Sequence, residues 1–383
     1  MANSRRRIRL GMVGGGQGAF IGAVHRMAAR LDDDYEFVAG ALSSRPAIAV
    51  ASGLELGLAA DRIYTDYRVM ARSEAARPDG IEAVAIVTPN HLHFGPAKTF
   101  LEAGIHVICD KPLTATLADA RALATIGLAS RAHFLLTHNY TGYPLIRQAR
   151  ALVESGELGV IRVVQAEYAQ DWLTEPVERT GAARGAEWRT DPDRSGAGGA
   201  IGDIGTHAYN LVRFVTGLTT EAVSADLVSF VPGRRLDDNV SILLRFAGGA
   251  RGMLWASQVA VGNENGLRLR VYGDKAGLEW SQEDPNRMWF TRLHQPRQLL
   301  TRGGPVGAPA AAMGLRISAG HPEGYLEAFA TLYTQFAAVI RGDADARPDL
   351  LPSLADGLEG LEFIAAAVAS SQRDGVWTSL RSV

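Results

Sequence analysis

Lys111, Asp203 and His207 combine residue types and placements suited to moving protons. Of the 39 lysines and arginines only Lys98, Lys111 and Lys275 are lysine, so arginine serves wherever a positive charge alone suffices. Lysine can surrender its proton and arginine effectively cannot, so a lysine invites a chemical reason. Lys111 stands in Cys109-Asp110-Lys111-Pro112, at the carboxyl end of an apolar run, where open α/β sheets bind ligands. Asp203 and His207 lie four residues apart in a glycine-rich segment, 198–207, that opens a helix ending at Gly217. On an α-helix that spacing puts both side chains on one face with Cβ atoms about 5–6 Å apart. An acid so placed orients an imidazole and favours its protonated form, which suits general acid–base chemistry. The bland counterpart is a core histidine below a helix cap.

A second constellation is a phosphate cradle. The first apolar run, 8–13, ends in Gly14-Gly15-Gly16-Gln17-Gly18-Ala19-Phe20-Ile21-Gly22 before an alanine-rich helical stretch. Glycines there let the backbone approach a pyrophosphate whose charge is met by N–H groups at the helix start. Gly14, Gly16, Gly18 and Ile21 are the expected contacts. The turn departs from G-x-G-x-x-G by placing five residues, not two, between Gly16 and Gly22. At the end of the second run, Ser43-Ser44-Arg45 replaces the acid that NAD enzymes often use for the ribose hydroxyls; hydroxyls followed by arginine suit a 2′-phosphate, so the cofactor reads as NAD(P) with a lean to NADP.

The elements that must position these groups fall into two kinds. Apolar runs at 8–13, 37–42, 83–87, 106–109 and 134–136 alternate with helical stretches, the rhythm of a doubly wound parallel sheet. Thr116 and Asp119 form a capping box. Past residue 138, runs at 239–246 and 250–259, and at 266–272 and 277–281, flank glycine turns and read as antiparallel hairpins. Leu267, Leu269 and Val271 alternate with polar neighbours, giving one dry face. The fold class expected is therefore α/β plus α+β: a dinucleotide domain over 1–137, and a substrate and oligomerisation domain over 138–383 built on a large, mostly antiparallel open sheet. The apolar helix 357–370 should pack inside. Two long irregular segments, 171–200 and 294–323, read as lids, subunit contacts or disordered stretches.

Composition excludes much else. A net charge of −2 offers no broad basic field for nucleic acid. No stretch approaches the roughly 20 apolar residues of a bilayer span. Arg5-Arg6-Arg7 could open an export signal, but the apolar stretch behind it is too short, so a cytoplasmic chain is expected. A single cysteine, Cys109, excludes internal disulfides and multi-cysteine metal sites, and no metal is expected.

The combination resembles the Gfo/Idh/MocA oxidoreductases over the whole chain. It is carried by the glycine turn, by Thr88-Pro89-Asn90-His91-Leu92-His93, by Asp110-Lys111-Pro112 and by Asp203 to His207. Gln170-Asp171-Trp172, Trp188-Arg189 and 320–324 look like the branch containing levoglucosan dehydrogenase and related sugar 3-dehydrogenases. The resemblance implies that Lys111, Asp203 and His207 are catalytic, that Thr88, Asn90, His93 and Asp110 lie on the cofactor side, and that the Lys111–Pro112 bond is cis. It also implies an open sheet face for dimer or tetramer contacts. Asp110 stands where the family pattern has glutamate, one methylene longer. Tyr140, Gln170, Trp172, Trp188 and Arg189 are candidates for a sugar pocket, since aromatic faces and fixed polar groups suit a polyol. The activity implied is hydride transfer between a nicotinamide and a secondary alcohol of a sugar, anhydrosugar or inositol. The alternatives are an NAD-assisted glycosidase and a non-catalytic dinucleotide-binding regulator.

Overall fold

The computed structural model describes residues 6–181, 185–305 and 307–383; Arg5, first of the arginine cluster, lies outside them. The chain divides into two compact units, Met1–Asn139 with Tyr325–Leu358, and Tyr140–Gly324 with Glu359–Val383.

In the first unit, β1 (Ile8–Gly14), β2 (Tyr35–Ala41), β3 (Ala83–Val87), β4 (His106–Cys109) and β5 (Phe134–Leu136) form a parallel sheet in the order β2-β1-β3-β4-β5. All five residues of β3 are buried, as a strand covered on both faces requires. The sequence reading ran the second domain unbroken over 138–383, whereas Tyr325–Leu358 belongs to the first unit. The reason is apolar: the helix Tyr325–Arg341 brings Phe329, Leu332, Tyr333 and Phe336 into one core with Val24, Ala28 and Tyr35. Polar contacts fix the register, with the His25 ring 2.8 Å from the Tyr333 hydroxyl, Tyr35 donating to the Tyr333 carbonyl and Arg341 paired with Asp34 at 2.6 Å.

The second unit is built on β6 (Ile161–Ala169), β7 (Thr220–Val228), β8 (Asn239–Phe246), β9 (Arg251–Ser257), β10 (Gly266–Gly273), β11 (Ala276–Ser281), β12 (Arg287–Arg292), β13 (Gln298–Thr301) and β14 (Thr378–Ser379). Their order is β13-β12-β11-β10-β6-β9-β8-β7-β14, antiparallel at every pairing except β6 with β9. Both expected hairpins form, β8–β9 and β10–β11. Leu267, Leu269 and Val271 are fully buried, each contributing about 1.5–3 kcal/mol. The helices Pro144–Glu154 and Thr206–Thr216 pack against this sheet. On the opposite face Leu243 and Met253 are exposed and, with Gln165, Glu167, Ser241 and Trp255, line a groove of about 770 Å³. The segment 171–200 is not wholly irregular: it carries the short helices Val177–Thr180, Ala186–Arg189 and Pro192–Ser195. Similarly, 294–323 contains β13 and the turn of helix Pro309–Ala312. No helix among the described residues is long and apolar enough to cross a membrane.

Candidate active site

The glycine turn of the first unit is shaped by close approach. A Cβ on Gly16 would sit 2.7 Å from the Leu42 carbonyl oxygen, and one on Gly22 would sit 2.4 Å from the Gly15 Cα. Gly22 is thus the residue that lets the helix Phe20–Leu31 lie against the turn, a role that the reading centred on Gly14, Gly16 and Gly18 had missed. The Ser52 hydroxyl accepts the Gln17 N–H at 2.9 Å, and Arg26 donates to the Gly15 carbonyl at 2.8 Å. No side chain caps the helix Phe20–Leu31. Its start is a ready anion site by N–H orientation and dipole.

This turn forms one wall of a cavity of about 630 Å³. Of the residues expected on the cofactor side, Gly14, Gly16, Ser43, Ser44, Arg45 and Thr88 line it. So do residues that the sequence reading did not select, including Gly15, Tyr67, Arg68 and His91. Arg68 stacks over the Tyr67 ring at 4.5 Å, and Asp66 fixes that corner by accepting the Arg68 N–H at 2.6 Å. The glycines, the uncapped helix and the two arginine-bearing corners fit a dinucleotide.

Gly18, Ile21, Asn90, His93 and Asp110 stand outside the lining of that cavity. Asp110 instead holds its own turn: its Oδ1 accepts the Lys111 N–H at 2.9 Å and the Thr137 hydroxyl at 3.1 Å. The Lys111–Pro112 bond is cis. His93 is 1% exposed and lies between two backbone carbonyls, Nδ1 2.8 Å from that of Pro112 and Nε2 2.8 Å from that of Thr88. Burial lowers its pKa, while Asp110 and the two carbonyls act to raise it.

In the second unit Asp203 sits on a π-helical turn, Ile201–Gly205, that runs directly into the α-helix Thr206–Thr216 carrying His207. A π turn advances fewer degrees per residue than an α turn, and four such steps still bring Asp203 and His207 to neighbouring positions around the segment. The Asp203 carboxylate accepts the Gln258 side-chain N–H at 2.9 Å and pairs with Arg189 at 3.5 Å. The turn is anchored by Asp237, whose carboxylate accepts the Gly199 and Ile201 N–H groups at 2.7 and 2.8 Å while its carbonyl accepts that of Ala200. Burial pushes the Asp237 carboxyl up to about 6, against the pull of those backbone bonds.

His207 is 8% exposed and meets the Tyr140 ring edge-on at 4.9 Å. From Tyr140 a hydrogen-bonded series runs through the Tyr168 hydroxyl (2.5 Å) to Asn265 (2.8 Å), to Gln170 (2.9 Å) and to the Trp172 indole (3.0 Å). Arg189 stacks on Trp188 at 4.3 Å and reaches the Trp172 ring at 6.0 Å. Thus all five residues assigned to a sugar pocket, together with Asp203 and His207, belong to one contiguous array. Tyr168, Asn265, Gln258 and Asp237 complete it and were missed, because strand register and not spacing brings them in. Burial raises the Tyr140 pKa, opposed by its bonds to Tyr168 and Asn265.

Fold and cavity define a dinucleotide-binding domain of the Rossmann class. Residues 8–149 match the oxidoreductase family with an NAD-binding Rossmann fold, and residues 146–279 match the GFO/IDH/MocA C-terminal domain. An oxidoreductase from Sinorhizobium meliloti is 56% identical, with TM-score 0.89 over 97% of this chain and 99% of that one. An inositol dehydrogenase homolog complexed with NAD+ from Azotobacter vinelandii is 41% identical, with TM-score 0.93 over 98% and 97%. Levoglucosan dehydrogenase of Pseudarthrobacter phenanthrenivorans is 30% identical over 72% of this chain and 74% of its own length. The chain belongs to the Gfo/Idh/MocA oxidoreductase family.

Proposed function

We propose that the protein oxidises a ring secondary alcohol of a sugar, anhydrosugar or inositol with a nicotinamide dinucleotide. The observation that carries this is the array of phenol, amide, indole and guanidinium groups joined to His207. Such fixed donors, acceptors and flat rings match the many hydroxyls and C–H faces of a polyol. Relatives named for levoglucosan and inositol support the class.

A bound nicotinamide supplies the hydride acceptor. His207 is assigned the role of general base, Lys111 that of a donor to developing negative charge, and Asp203 that of supporting the imidazole from the same helical segment. Separate Lys111→Ala and His207→Ala substitutions should each lower turnover by about a hundredfold or more. A fall in both of less than about tenfold would overturn these roles. The substrate test follows the absorbance of reduced nicotinamide across sugars, inositols and anhydrosugars.

Ser43, Ser44 and Arg45 at the end of β2, with Arg68 on the same cavity, support a preference for NADP. Arg45→Ala should raise the KM for NADP at least about tenfold, the value of one lost charge-assisted bond, and leave that for NAD unchanged. The open sheet face with Leu243 and Met253 supports a homodimer or homotetramer, which light scattering checks. The buried single thiol of Cys109 fits a cytoplasmic, reducing setting.

A further inference from the structure

Lys111 is held differently on its two sides. On the amino side, Asp110 donates its N–H to the Ile86 carbonyl at 2.9 Å and receives the Lys111 N–H on its carboxylate, so the approach from β4 is stitched to the sheet. On the carboxyl side, Pro112 has no N–H to offer, and its carbonyl is met by the buried Nδ1 of His93. The other nitrogen of that ring is met by the carbonyl of Thr88, a residue of the dinucleotide cavity wall. One side chain therefore spans the lysine turn and the cavity wall.

We propose that His93 is a positioning residue: by tying the Pro112 carbonyl to that of Thr88, it fixes the segment bearing Lys111 against the wall of the dinucleotide cavity. A carbonyl can only accept, so a neutral ring binds one of the two and the imidazolium binds both. Burial is the largest influence and lowers the pKa of the ring, with Lys111 adding to it, while Asp110 and the two carbonyls pull the other way. The clasp works through backbone and never touches substrate. Its effect is on where the amine stands, and small misplacement of a reacting group is costly to rate.

The inference rests on the role assigned to Lys111, so its test has one arm that needs no substrate. His93→Phe keeps a ring of similar size and removes both ring nitrogens. His93→Gln restores an amide nitrogen carrying two protons. With the full chain, turnover of His93→Phe should fall at least about tenfold while dinucleotide affinity stays within about threefold, and His93→Gln should recover most of the loss. The second arm uses the fact that the chain has only three lysines. After reductive methylation with labelled formaldehyde, the Lys111 methyl signal of His93→Phe should move towards that of Lys98, which is 45% exposed, while the Lys98 and Lys275 signals stay in place. An unmoved Lys111 signal, turnover of His93→Phe within twofold of the parent, or an equal loss of dinucleotide affinity and turnover, each overturns the clasp. If His93→Phe does not fold, the same lysine signals in His93→Gln decide: a Lys111 signal at the parent position supports the clasp, and one shifted alone with sound dinucleotide binding overturns it. If no substrate is ever turned over, the methyl signals still decide the question.

Discussion

Donor accounting at Tyr140 and Tyr168 fixes the direction of the array beside His207. Tyr168 gives its proton to the Asn265 side-chain oxygen, so the proton between the two phenols comes from Tyr140. The Tyr140 oxygen then faces its remaining surroundings as an acceptor, which is what a substrate hydroxyl donor needs. Tyr168→Phe removes the acceptor of one buried bond and the donor of another. We expect a loss of about 1–3 kcal/mol in denaturant unfolding, a raised KM for the alcohol and no change in dinucleotide affinity. A substitution that left KM unchanged would detach the array from substrate. At the cradle, Gly16→Ala would press a methyl group into the Leu42 carbonyl, a backbone atom that cannot step aside. Dinucleotide affinity by fluorescence titration should fall at least about tenfold, within the 1–3 kcal/mol typical of overpacking. At this scale the sequence was informative where a residue type is rare or chemically pointed: the lysine, the glycines, the histidine four residues after an acid. It was silent on Tyr168 and Asn265, ordinary residues that matter only through the neighbours that β6 and β10 give them.

The segment 198–207 shows how an element inherits its position. Two glycines open it, and Gly199 must be one, because a Cβ there would sit 2.1 Å from the Asp237 carbonyl oxygen. That closeness lets Asp237 gather three successive N–H groups at the head of the Asp203–His207 helix. The folded carboxyl titrates at about 6, above its ordinary value of 3.8, so the fold holds this proton more tightly than the unfolded chain does. The sign follows: stability from this group is full below pH 3.8 and is lost as pH rises through 6. Removing the ionisable group in Asp237→Asn removes that dependence. The stability advantage of the parent over Asp237→Asn, from denaturant unfolding, should therefore grow by about 1 kcal/mol between pH 7 and pH 5. A flat difference would mean that the carboxyl stays ionised. Local elements of this kind were legible where one signal sufficed. Thr116 and Asp119 form the capping box, and Gly217 ends its helix in the left-handed conformation. The π turn was not legible, since no residue type marks it.

At the scale of the whole molecule the chain's main departure from a left-to-right reading is the return of 325–358 to the first unit. An amphipathic pattern says which helix face is dry but not what will cover it, and the partner, Phe20–Leu31, lies about 300 residues earlier. His25 is sealed at this junction with Tyr333 and Phe329, and burial lowers its pKa to about 4. His138, in the same unit, is lowered by burial to about 3, with Lys111 adding to the shift. Both fall below the ordinary 6.5, so these rings are neutral in the fold, and the unfolded chain binds the extra protons. Stability from them is full above pH 6.5 and drains as pH falls through 4 and then 3, by about 3–5 kcal/mol for each ring across the window. Asp237 acts in the opposite sense over pH 6 to 4, but in the second unit. The two units should thus part company on acidification. Hydrogen-exchange protection factors of β1 and β3 should fall between pH 6.5 and pH 5 relative to those of β8 and β10. His25→Gln should reduce that pH slope by about one proton, or 1.4 kcal/mol per pH unit, without altering the second unit. If protection fell equally in both units, or if the His25→Gln slope matched the parent, the acid response would have to come from groups outside this buried junction.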